Sequence, residues 1–253
     1  MPDLPDILLQ RTSLELSLIL FSLFLGGVLK GVTGAGAPIV AIPVIAAIVD
    51  LPTAVMIMLV PNALTNIRQA TVFRASLPER RFLLPYLAGG AAGVLVGTAL
   101  LTGLPSRGLD LLVACAILLY VGFRLAKPSW GLSRAVADRL AVPAGAVAGV
   151  LQGATGLSAP ATLGFLNAVK FARPTFVATV ALLFLVFSAV HILSLAVLGV
   201  FTLAIAFLSF LALAPILIGM AAGGRLGNRI PQTTFEYVVL TLLAAIALKL
   251  LIA

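Results

Sequence analysis

Long stretches of this chain carry no charge. Residues 82–106 run for 25 positions, and residues 174–224 for 51, without Asp, Glu, Lys or Arg. A membrane-spanning helix needs about 20 apolar residues, whereas a membrane β-strand shows roughly ten residues of alternating polarity. No such alternation is present, so the pattern predicts helices. The apolar pieces fall at 16–29, 38–49, 52–73, 82–103 and 107–123, and again at 140–151, 159–169, 174–198, 201–222 and 235–252. The first two of each set are short. At about 1.5 Å per residue, none of those four is expected to cross about 30 Å of hydrocarbon unaided. Each pair is expected to form either a hairpin dipping into the membrane or two short tilted spans.

The two sets are copies of one unit. Residues 27–38 read GVLKGVTGAGAP and residues 149–160 read GVLQGATGLSAP, identical at eight of twelve positions with an offset of 122. Pro52, Thr53 and Val55 match Pro174, Thr175 and Val177 at the same offset. Residues 85–97 (PYLAGGAAGVLVG) match 215–227 (PILIGMAAGGRLG) at seven of thirteen positions. The chain therefore divides into a first membrane repeat, 1–125, a charged cytoplasmic linker, 126–139, and a second repeat, 140–253. An odd number of pieces per repeat makes the second enter the membrane from the opposite face. That is an inverted-topology duplication, in which substrate binds near the midplane between the repeats.

Placement of charge orients the chain. With the N-terminus outside, twelve of the sixteen basic residues fall on inner segments: Arg68, Arg74, Arg80, Arg81, Arg124, Lys127, Arg134, Arg139, Lys170, Arg173, Arg225 and Arg229. Basic residues favour the cytoplasmic side, so both termini are expected outside. Composition agrees with a membrane protein. Of 253 residues 62% are hydrophobic and 9% charged, against about 25% charged in a soluble domain. This excludes a soluble enzyme, a nucleic-acid-binding domain and a disordered chain. The single cysteine, Cys115, cannot form an intrachain disulfide and is expected to pack. The N-terminal segment lacks a basic head and a small-residue cleavage site, and reads as a retained first helix.

The duplicated motif is the candidate for chemistry. Gly31, Gly34 and Gly36 let a helix unwind, and Pro38 and Pro160 suit the first turn of a new one. Each motif thus reads as a helix end, a bare turn and a helix N-terminus, whose free N–H groups and positive dipole end favour an anion. Irregular backbone at membrane depth is tolerated where it lines a cavity or lies buried in protein. The substrate-binding candidates are Thr33, Gly34, Gly36 and Ala37 from the first copy, and Thr155, Gly156, Ser158 and Ala159 from the second. Lys30, with its counterpart Gln152, stands beside the motif; it either pairs with the anion or snorkels to the inner surface. Asn62, Thr65, Asn66 and Gln69 share one helix face, opposite Phe184, Phe187, Ser188 and His191 in the second repeat. Of these Asn62, Asn66, Ser188 and His191 join the candidates. The stripes line a pathway or join helices by hydrogen bonds. His191 either relays protons or is a hydrogen-bonded structural residue. Gly89, Gly93 and Gly97, and Gly219, Gly223 and Gly227, form small-xxx-small ridges for close helix packing. No metal-ligand cluster, catalytic triad, Walker motif or nucleotide fingerprint occurs, so no cofactor and no ATP hydrolysis are expected.

These features imply an α-helical secondary transporter for a small anion, with the lipid bilayer as its other partner. An anion channel with the same backbone filter and a membrane scaffold that transports nothing are the alternatives. The chain resembles the TauE/SafE family of sulfite-exporter-like permeases, also called the toluene-sulfonate uptake permease family. The likeness lies in the duplicated motif (GVTGAGAPIVAIP and GATGLSAP) and the RLGNRIP stretch before the last helix, and covers essentially the whole chain. The family typically carries three successive glycines where this chain reads Gly34-Ala35-Gly36-Ala37, and Gly156-Leu157-Ser158-Ala159 in the second copy. The resemblance implies transport of sulfite, thiosulfate or organosulfonates in a bacterial inner membrane. A coupling ion, H+ or Na+, is needed only for uptake, and a homo-oligomer is compatible with the sequence.

Overall fold

The computed structural model describes residues 11–126 and 131–226, together with 240–241, 244–245, 247–248 and 251. The regular structure among them is helical: α1 (Ser13–Thr33), α2 (Ala37–Ala46), α3 (Leu51–Val72), α4 (Arg80–Gly103), α5 (Ser106–Ala126), α6 (Arg134–Thr155), α7 (Ala159–Val169), α8 (Arg173–Val197), α9 (Leu203–Leu211) and α10 (Leu213–Leu226), with a single 3-10 turn at Arg74–Ser76. Among the described residues four stretches are long and apolar enough to cross a bilayer: Ser13–Thr33, Arg80–Gly103, Arg173–Val197 and Leu203–Arg225; the piece expected at 235–252 lies largely outside the described residues.

Several boundaries differ from the sequence expectation. The piece expected at 16–29 is a helix of 21 residues, about 30 Å at 1.5 Å per residue. It begins earlier because Thr12 and Glu15 form a capping box: the Thr12 hydroxyl accepts the Glu15 N–H and the Glu15 carboxylate accepts the Thr12 N–H at 2.8 Å. α1 can therefore span on its own. α6 likewise has 22 residues and starts at Arg134, within the segment read as linker. Its charged first turns are held by Asp138, which pairs with Arg81 of α4 at 2.9 Å and with Arg134 at 3.2 Å. The Arg134 guanidinium also lies 4.9 Å from the centre of the Phe82 ring. Only α2 and α7, of 10 and 11 residues, remain short. The piece at 201–222 divides into α9 and α10, because Pro215 has no N–H to offer the Leu211 carbonyl one turn back. Cys115, expected to pack, is exposed on α5.

Packing interleaves the two halves of the chain. α1 lies against α10, α4 against α6 and α3 against α8. Glycines make the first two pairings close. A Cβ on Gly27 or Gly31 would run into the backbone of Ile216 or Met220, and one on Gly219 or Gly223 into that of Phe24 or Val28. Between α4 and α6 the same holds for Gly89, Gly93 and Gly97 against Val142, Ala146 and Val150, and for Gly145, Gly149 and Gly153 against Tyr86, Gly90 and Val94. In both seams residue numbers rise together, so the paired helices run parallel. The ridges read from sequence are therefore packing faces, although Gly227 lies outside the described residues. α3 and α8 run antiparallel: Asn62 meets Ser188, while Met56 and Leu59 cluster with Leu195.

A proline inside α3 is accommodated by the other half. Pro61 cannot donate to the Ile57 carbonyl. Ser209 of α9 supplies that hydrogen bond at 2.9 Å, and accepts the Val60 N–H at 3.1 Å. α3 continues through the proline, buried along its first half.

Candidate functional site

The two motifs fold as two helix breaks. α1 ends where Gly34 takes left-handed backbone (φ 83°) and its N–H bonds the Lys30 carbonyl at 2.8 Å. Gly36, at φ 101°, starts α2. In the second copy Gly156 (φ 70°) ends α6, its N–H on the Gln152 carbonyl at 2.9 Å, and Ser158 starts α7. Pro38 and Pro160 occupy the first turns of α2 and α7, and neither helix start receives a hydrogen bond from a side-chain cap.

The breaks meet at one small cavity, lined by Gly36, Pro38 and Ile39 from the first copy, by Gly156, Leu157, Ser158 and Ala159 from the second, and by Asn62, Gln152 and Phe184. Its free volume is about 10 Å³ for the centre of a water-sized sphere, roughly the room of a single water. Ala37, at the first position of α2, is buried beside it in sequence.

The remaining candidates are placed around this centre in different ways. Lys30 does not snorkel. It is 1% exposed, and its Nζ donates to Asn66 Oδ1 at 2.9 Å. It forms no ion pair among the described residues. Asn66 donates through Nδ2 to the Asn62 carbonyl at 2.7 Å and to Asn62 Oδ1 at 3.1 Å. Asn62 donates through Nδ2 to Ser188 Oγ at 2.9 Å. Across the cavity Ser158 Oγ donates to Gln152 Oε1 at 2.7 Å. Lys30, Asn66 and Ser188 thus stand behind the lining, joined to it through Asn62.

Thr33 and Thr155 face their own turns. Thr33 Oγ1 lies 2.9 Å from the Leu29 carbonyl and 2.6 Å from that of Ala35, and accepts the Ala35 N–H at 3.3 Å. Thr155 repeats the arrangement, donating to the Leu151 carbonyl at 2.7 Å and accepting the Leu157 N–H at 3.2 Å. Each hydroxyl satisfies one amide that the break frees, and neither threonine lines the cavity. Gly34 is also off the cavity; a Cβ there would meet only Gln69 Nε2, at 3.5 Å. His191 is fully buried, and neither ring nitrogen has a hydrogen-bond partner among the described residues, which corrects the hydrogen-bonded structural alternative. Its repeat counterpart, Gln69, likewise has an unpartnered buried Oε1. The substrate-binding candidates did not include the apolar lining of Pro38, Ile39, Leu157 and Phe184, although Phe184 stands in the stripe read as a candidate pathway lining. The offset of 122 that places Phe184 opposite Asn62 was the available signal for the last.

A family model described as sulfite exporter TauE/SafE matches residues 19–250, nearly the whole chain. The chain belongs to the TauE/SafE family. It is a multi-pass membrane protein of a transporter family, and its membership suggests a sulfur-containing anion as cargo. No curated protein and no solved structure matches it. Helix N-termini and free amide N–H groups are, in general, hydrogen-bond donors that suit an anion.

Proposed function

We propose that the protein is a secondary transporter that exports sulfite, thiosulfate or an organosulfonate, and that the anion binds between the two helix breaks near the bilayer midplane. The observation that carries this reading is the convergence of two helix N-termini without side-chain caps, those of α2 and α7, on one cavity in an apolar chain. Each start offers N–H groups and the positive end of a helix dipole. Asn62, Gln152 and Ser158 add polar groups at the lining. Lys30 adds an amine two hydrogen-bonded amides away, whose charged form a bound anion favours. A buried cation without a carboxylate is costly, and an arriving anion offsets that cost.

An inverted repeat is supported by the helix directions: α3 and α8, counterparts at an offset of 122, run antiparallel, and the glycine seams pair α1 with α10 and α4 with α6 in parallel. In this arrangement both termini lie outside a bacterial inner membrane. The room for about one water is less than sulfite occupies, so binding the anion requires the lining to move apart. Access alternates as the broken pairs α1–α2 and α6–α7 move against the remaining helices. An anion leaving an inside-negative cell moves downhill by about 2.3 kcal/mol per charge per 100 mV. Export therefore needs no further energy source, and uptake needs a coupled H+ or Na+.

The test is flux from proteoliposomes holding the purified protein under an imposed potential. Saturable sulfite, thiosulfate or sulfonate efflux that follows the potential is expected. Linear, very fast flux makes the protein a channel instead, and an absence of flux for all of these anions makes it a scaffold.

A further inference from the structure

We infer that Lys30 and Asn66 are positioning residues that fix the direction of a hydrogen-bond chain, turning the Asn62 amide so that its N–H₂ group, and not its carbonyl, serves the cavity. The inference rests on the anion-site reading above and adds to it a source of selectivity for anions. An ammonium group only donates. Lys30 Nζ, in contact with Asn66, therefore requires the amide oxygen of Asn66. That orientation leaves Asn66 Nδ2 as a donor, and it donates to the main-chain oxygen and to Oδ1 of Asn62. Asn62 Oδ1 is thereby engaged on the side away from Ser188, so Nδ2 must lie on the other side. One of its hydrogens reaches Ser188 Oγ, and the second is left for the cavity that Asn62 lines.

Oxygen and nitrogen of a side-chain amide can ordinarily exchange places at little cost. Here the exchange at Asn66 would set two donors against each other at Lys30, and the exchange at Asn62 would set two donors against each other at Asn66. With Lys30 as the ammonium, the form a bound anion favours, the chain has one sense. Lys30 itself does not line the cavity, so its effect on the anion passes through the amides as well as through its charge. In the second repeat the corresponding position is Gln152, which lines the cavity directly. Its Oε1 accepts from Ser158, and none of the described hydrogen bonds uses its Nε2. Two amide N–H₂ groups, one from each repeat, thus serve the same small space. The arrangement favours an anion at Asn62, whose amide oxygen already accepts from Asn66.

The decisive variant keeps the lysine and cuts the relay. In proteoliposomes with sulfite as the probe, Asn66→Ala is expected to raise KM about tenfold, the effect of losing one hydrogen bond to a charged group, with a much smaller change in kcat. Asn66→Ser retains a hydroxyl that accepts from Lys30 and donates onward, and is expected to return KM to within about threefold of wild type. Sulfite binding, read as the shift in melting temperature that the anion causes in detergent, is expected to weaken in the same order. A wild-type KM in Asn66→Ala overturns the inference, because the charge of Lys30 is then sufficient; so does an equal loss in Asn66→Ser and Asn66→Ala. If Asn66→Ala does not accumulate in the membrane, Asn62→Leu, which removes the presented amide, is expected to give the same rise in KM, and a wild-type KM there overturns the inference equally. Wild-type protein that neither transports nor is stabilised by sulfite, thiosulfate or methanesulfonate overturns the anion-site reading itself, and the inference with it.

Discussion

At the first break two glycines, Gly34 and Gly36, hold left-handed backbone, and the following helix starts on glycine. At the second only Gly156 does, and the helix starts on Ser158 in ordinary right-handed backbone (φ −77°). The same threonine device closes both turns, yet the surroundings differ. Behind the first stands a buried lysine with its amide relay; behind the second, Gln152 and Ser158 reach the cavity themselves. The difference teaches that the two breaks share a left-handed glycine at the helix end and a threonine that closes the turn, but differ in how the next helix starts and in where their polar groups stand. One side keeps its amine behind the lining, and the other places its amide and hydroxyl at the lining.

The sharpest way to break this comparison is to add a methyl group at the left-handed glycine that ends the first helix of each break. Gly156→Ala strains the backbone, about 1–2 kcal/mol, and drives the new Cβ into the Ile42 side chain, which adds about 1–3 kcal/mol for overpacking. It is expected to give the largest fall in melting temperature and to abolish sulfite flux. Gly34→Ala carries the same strain without a clash, because its Cβ has space; about 1–2 kcal/mol is expected, measured by the same thermal unfolding. If the two variants unfold alike, the packing difference between the breaks is not real. Next in size, Lys30→Gln copies the second repeat into the first. Expression is expected to persist, with sulfite kcat/KM falling about tenfold, or roughly 1.4 kcal/mol. Unchanged transport would remove Lys30 from the site. The smallest effects belong to the threonines. Thr155→Val is expected to cost about 1 kcal/mol and Thr33→Val about 0.5 kcal/mol, because Thr155 is fully buried and Thr33 only half-buried. A reversed order in thermal unfolding would show that the two turns are not equivalent in construction.

Much of this was legible in the residues. Glycine and proline punctuate backbone by themselves, so both breaks lay where GVTGAGAP and GATGLSAP placed them. Asn62 and Asn66, four apart, announced a polar helix face. Other features depended on partners that sequence order hides. Whether Lys30 stays buried is decided by Asn66, 36 residues away on another helix. The role of the threonines was misjudged for a local reason: a hydroxyl in a helix readily bonds the carbonyl four residues back, and here it also takes an N–H released by the turn. The start of α1 was missed although Thr12 and Glu15 carry the spacing of a capping box. The start of α6 was missed because its charges resembled a linker; Arg81, on another helix, is what makes Asp138 and Arg134 an ordered helical turn.

The exchanged glycine seams bear on how the molecule is made. The small-residue face of α1 leaves the ribosome first, but the helix that fits it is complete only when residue 226 has been added. Until then that face must wait in lipid or against the insertion machinery. Halves produced from separate messages would each present two such orphaned faces, and would have to find one another within the bilayer before either could hold its shape.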